Sequence, residues 1–125
     1  MIYLQRGATN SVVMTLTEKS ELNNPYFLFS FTNNTSGDEK LFNMVDISGY
    51  RRRYNRFELV ETTSEDLPNG KVELEYGWGR YEVYESATQS LDINDTTGRI
   101  LEQGKFYVSG YPATLNNNDI NNIYL

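Results

Sequence analysis

The 125-residue sequence contains neither cysteine nor histidine. Without Cys there is no disulfide, no thiolate nucleophile and no Cys-ligated zinc; without His the commonest general base and metal ligand is missing. No Ser-His-Asp arrangement can form. Proline is scarce, at three residues, and no apolar run approaches the length of a membrane span. No Gly-rich phosphate loop stands between a strand and a helix. Basic residues are outnumbered, 11 Lys and Arg against 17 Asp and Glu, for a net charge of −6. That balance disfavours nucleic acid or an anionic membrane as the main partner. No cofactor or metal is expected, and an enzyme is the least expected class. The opening Met1-Ile2-Tyr3-Leu4-Gln5-Arg6 lacks the basic-then-apolar order of a secretion signal, so synthesis in a cytosol is expected.

What is present is alternation. In Val72-Glu73-Leu74-Glu75-Tyr76-Gly77-Trp78-Gly79-Arg80-Tyr81-Glu82-Val83-Tyr84-Glu85, apolar and charged residues alternate about a Gly-Trp-Gly centre. Period 2 marks strands with one buried face. The rhythm recurs at Ile2-Leu4, Ser11-Thr17, Tyr26-Thr32, Leu41-Ile47, Tyr54-Glu61, Lys71-Tyr76, Arg80-Glu85, Ile100-Leu101 and Lys105-Ser109. Phe27, Phe29 and Phe31 share one face; Val13 points away from Val12, Met14 and Leu16. Gly77-Trp78-Gly79 reads as a tight turn or as a bulged bend within one long strand. Asn33-Asp38 and Pro68-Asn69-Gly70 are turns, the latter because Pro fixes φ and Asn-Gly accepts positive φ. The best helical candidate is Ser86-Ile93. Seven or eight short strands at this spacing predict an all-β antiparallel sandwich over residues 1–110.

After Tyr111-Pro112 the composition changes. Residues 111–125 are Asn-rich yet end in apolar side chains, with Leu115, Ile120, Ile123, Tyr124 and Leu125. A disordered tail usually lacks such an ending. An extended C-terminal arm is expected, docked on its own domain or on a neighbouring subunit.

Candidate sites are few. Glu73, Glu75, Glu82 and Glu85 include enough carboxylates for a glycosidase pair, but their alternation with apolar residues describes a solvated strand face. Asp92-Ile93-Asn94-Asp95-Thr96-Thr97-Gly98 looks like a calcium loop, yet its Gly is one place late and no Glu closes it. Arg51, Arg52, Arg53 and Arg56 place four of the seven arginines within six residues, beside Tyr50 and Tyr54. Arg with Tyr suits protein recognition, because guanidinium stacks and bonds carboxylates in pairs. The readings are a dock for an acidic partner, including a second copy of this chain, a phosphate or nucleic-acid contact, which the surrounding negative field disfavours, or a loop and strand start with solvated Arg side chains. Trp78, Tyr76 and Tyr81 would be the members of a sugar-stacking face, if exposed.

Several pieces, in order, resemble a family of small virion proteins from tailed phages of Bacteroidota hosts, including crAss-like phages. They are Met1-Ile2-Tyr3-Leu4 with Gly7-Ala8-Thr9-Asn10, Val12 through Glu18, Asn24-Pro25-Tyr26-Phe27-Leu28-Phe29, Arg53-Tyr54-Asn55-Arg56-Phe57, Gly77 through Glu85, and Leu101-Glu102-Gln103-Gly104-Lys105. The resemblance implies an immunoglobulin-like β-sandwich that builds part of a virion, as a capsid-associated auxiliary or head-fibre protein. It implies other virion proteins as partners and homo-oligomer formation. A tail-associated or carbohydrate-binding module for host attachment is the alternative.

Overall fold

Period-2 burial decides both sheets of this protein. The computed structural model describes residues 1–23, 25–50 and 52–110. Their strands are β1 (Ile2–Gln5), β2 (Thr9–Met14), β3 (Tyr26–Asn33), β4 (Glu39–Met44), β5 (Asn55–Glu61), β6 (Lys71–Val72), β7 (Gly77–Ser86) and β8 (Ile100–Ser109). One sheet has the order β1-β8-β7-β3-β4, the other β2-β5-β6. The second and fifth strands thus lie opposite the third, seventh and eighth, the distribution of an immunoglobulin-like sandwich. Pairing is antiparallel except at two edges, where β1 runs parallel to β8 and β6 parallel to β5.

The core is aromatic. Phe27, Phe29 and Phe31 of β3 are all buried, as their alternation requires. Phe29 meets Phe57 of the opposite sheet at 5.0 Å between ring centres, and Phe31 lies 4.8 Å from Phe106. Val12 and Met14 face inward while Val13 is exposed. A buried Phe or Leu contributes roughly 1.5–3 kcal/mol through lost apolar surface.

Five strand assignments differ from the sequence expectation. The chain leaves β2 after Met14 because the Asn55 Oδ1 accepts from the backbone N–H of Leu16 and Thr17, at 2.7 and 3.1 Å. β4 stops at Met44, leaving Val45 and Ile47 exposed. The expected strand Lys71-Tyr76 pairs only at Lys71–Val72; Leu74 is then held by its own N–H, which donates to Glu61 Oε2 at 3.0 Å. Gly77-Trp78-Gly79 is neither a turn nor a mid-strand bend. Gly77, at φ 102°, breaks the chain and these three residues open β7. Ile100-Leu101 and Lys105-Ser109 are one strand, with the Tyr81 ring lying over the bare Cα of Gly104. In that strand Leu101 is the unpaired residue of a bulge, since Val83 faces Glu102 and Tyr84 faces Ile100. Ser86-Ile93 is not helical; one 3₁₀ turn, Ile93–Asp95, follows it.

The outer face of the larger sheet has two halves. Leu28, Asn43, Tyr84 and Ser86 are buried there. Part of the cover is the β7–β8 connection, tied down by Asn43 Nδ2 donating to the Ser90 carbonyl and Ser86 Oγ to that of Asp95. In the other half, Trp78 is exposed, and no described segment crosses it.

Candidate interaction surfaces

The carboxylates sort into structural roles. Glu85 was expected on a solvated face; it is 1% exposed. Its Oε1 accepts from Ser20 Oγ at 3.1 Å and Leu22 N at 2.8 Å, and both oxygens accept from Glu21 N. Its parity explains this, because Tyr81, Val83 and Glu85 all point inward from β7. Glu61, also buried, takes the N–H of Gly7 at 2.7 Å and of Leu74 at 3.0 Å. Glu82 accepts from the Tyr84 hydroxyl. Glu73 and Glu75 line an open cleft with Asp38, Arg6 and Lys40. The cations there are already engaged. Lys40 pairs with Glu65 at 2.9 Å, and the Arg6 guanidinium lies 4.7 Å over the Tyr76 ring. The backbone N–H of Glu73, with Lys40, holds the Glu65 carboxyl below the usual range.

The loop at 92–98 is a polar turn. Asp92 Oδ1 caps the N–H of Asn94 at 2.9 Å, and Asp95 Oδ2 accepts from Ser90 Oγ. Among the described residues no group of three or more Asp and Glu is arranged to hold a metal ion, and no helix is long and apolar enough to cross a membrane.

The arginine cluster is divided between a turn and a strand. The backbone N–H groups of Arg53 and Tyr54 both donate to the Tyr50 carbonyl, so Arg52 and Arg53 ride an exposed turn. The Tyr50 and Tyr54 rings stand 6.4 Å apart. Arg56 leaves the outer face of β5, where its Nε donates to Ser11 Oγ at 3.1 Å. Exposed Val13 sits opposite Arg56 in the β2–β5 ladder, and the Ile47 N–H donates to the Arg56 carbonyl at 2.8 Å. The result is a mixed apolar and basic surface that the arginine run alone did not reveal. Arg51 and the arm residues Leu115, Ile120, Ile123, Tyr124 and Leu125 lie outside the described residues.

The expected aromatic face is rebuilt with other members. Tyr81 points into the core at 5% exposure, since it shares parity with inward Gly79. Burial above all, with the Glu102 carboxylate beside it, pushes its phenol up to about 12. An unfolded tyrosine ionises near 10, so this contribution to stability is whole below that pH and is lost as pH rises through 12. Urea unfolding from pH 9 to 12 should therefore show a falling stability that is flatter in Tyr81→Phe. Parallel slopes in the two proteins would refute the assignment. Tyr76 lies before β7, beneath Arg6. Trp78 instead finds Tyr107, directly opposite in register, with ring centres 5.0 Å apart; Tyr107 in turn faces Tyr3 of β1. Each residue's outward parity was readable, but which three strands lie side by side was not.

Comparisons with known proteins give fold and little else. No family model matches the chain, and no curated protein matches it. A solved structure from Bacteroides vulgatus, described as a "putative glycoside hydrolase", superposes with a TM-score of 0.50 at 10% identity. The superposition covers 90% of this chain and 17% of that one, so the chain spans only a small part of the neighbour's length.

Proposed function

We propose that this chain is a non-enzymatic structural protein of a phage virion, a capsid-associated auxiliary or head-fibre protein that assembles through protein–protein contacts. The observation that carries this reading is the surface around Arg56. In a chain of net charge −6, it groups exposed Val13, Ile47 and Tyr50 with Arg52, Arg53 and Arg56. Apolar anchors ringed by Arg and Tyr are what protein interfaces enrich. The acidic remainder of the same protein supplies a complementary face, which favours a second copy or another acidic virion protein. The sequence resemblance supplies the virion context.

The test is cryo-EM of purified particles at a resolution that traces side chains. Ordered copies on the capsid, with Arg52 and Arg53 against a neighbour, are the expected result. Particles free of this chain would overturn the reading. Arg52→Glu with Arg53→Glu should weaken incorporation, more so at low salt than at high salt, because screening removes contacts between exposed charges.

A further inference from the structure

We propose that the open half of the larger sheet's outer face is a binding site for a polyuronate, an extended carboxylated polysaccharide. Trp78, Tyr107 and Tyr3 form one row across three adjacent strands at a common register. Trp78 is 46% exposed and Tyr3 70%. Strands lie about 4.8 Å apart, so the row advances by roughly one pyranose length per strand. The Trp78 and Tyr107 rings are tilted 55° to one another, so the row is twisted, and each ring can cover the apolar C–H face of one sugar while the sugar's polar edge stays wet.

The next outward row supplies the charge. Arg80 on β7 and Lys105 on β8 stand directly opposite one another, both exposed. Like charges at facing positions destabilise a sheet. Among the described residues neither has an ion-pair partner, although the protein is acidic overall. A carboxylate lying beside the aromatic row would relieve that repulsion, and a guanidinium can bond it through two N–H groups.

Size decides against a protein as occupant. Three side chains offer far less than the roughly 800 Å² per partner of a stable protein interface. Two cations are also few for nucleic acid, which binds by neutralising several phosphates. This site is independent of the assembly surface around Arg56 and stands or falls separately.

Trp78 is the single tryptophan, so its emission reports on this site. Titrating the full chain with a defined oligogalacturonate at physiological salt should give a saturable change in that emission. Arg80→Glu with Lys105→Glu should weaken binding about tenfold or more, and Tyr107→Ala likewise. Tyr3→Ala, at an exposed edge position, should weaken it several-fold and serves if Tyr107→Ala fails to fold. The fully methyl-esterified oligosaccharide should bind at least about tenfold more weakly. No saturable change at millimolar oligosaccharide would overturn the proposal, as would equal binding of the ester. Tighter binding of a thymidine oligonucleotide, or a concentration-dependent self-association that alone alters the Trp78 emission, would overturn it too.

Discussion

Replacing Glu85 by alanine is expected to destabilise the fold by about 3 kcal/mol. The carboxylate is buried at the end of β7 and accepts from the Ser20 hydroxyl and the backbone N–H groups of Glu21 and Leu22. Those donors belong to the long β2–β3 connection, which has no ladder of its own at this point. Removing the acceptor strands two buried or half-buried N–H groups, each costing about 1–3 kcal/mol unless water reaches it. For a domain of this size the melting temperature should fall by about 12 °C. Glu85→Gln keeps the volume but offers one acceptor oxygen and an amide NH2 that faces donors, so it should recover less than half of the loss. Glu82→Gln, three residues away on the outer face, should change stability by under about 0.5 kcal/mol. Thermal unfolding of the three variants checks the ranking. Equal losses at Glu82 and Glu85 would mean that the β2–β3 connection does not depend on this carboxylate.

Gly79→Ala should be at least as damaging, by about 3 kcal/mol, for a steric reason. A methyl group on Gly79 would overlap the Phe106 ring and the Thr32 carbonyl oxygen. Neither can retreat. Phe106 is packed against Phe31 in the core, and the Thr32 carbonyl belongs to a central strand. Overpacking of this kind costs about 1–3 kcal/mol, and more where the obstacle is backbone. The comparison is Gly37→Ala, where φ is 77° but nothing lies within 4 Å. There only the left-handed backbone is penalised, about 1 kcal/mol. Chemical denaturation should separate the two variants by at least about 2 kcal/mol. A Gly79→Ala protein as stable as Gly37→Ala would show that β7 and β8 can part locally without penalty. Because Trp78 adjoins Gly79, its emission in the folded variant reports whether the aromatic row moves with the strands.

How much of this was legible from the chain differs by residue. Phe27, Phe29 and Phe31 announce their own burial, because alternation along a strand is a local property that any sandwich must honour. Val13 is outside and Val12 inside on the same ground. The turn at Pro68-Asn69-Gly70 was legible because Gly70 must take a positive φ, and it does, at 75°. Glu85 was misread. Its shared parity with Val83 places it on the inner face, but its charge suggested water, and only the distant Ser20–Leu22 segment supplies the donors that make burial tolerable. The long alternating run from Val72 to Glu85 was misread too, since a period says which way side chains point and not whether a partner strand lies alongside.

The sequence by itself determined the class of object, an all-β sandwich with an aromatic core, and the inward or outward sense of most strand residues. These follow from local stereochemistry and from the cost of leaving apolar surface in water. Only the tertiary structure decided which strands are neighbours. Pairing of β1 with β8 joins Ile2 to Phe106, contacts more than a hundred residues apart in the chain, through a loop-closure entropy that varies too slowly with length to favour one register locally. That pairing sets Tyr3, Tyr107 and Trp78 in one row and leaves Arg80 facing Lys105 beside it.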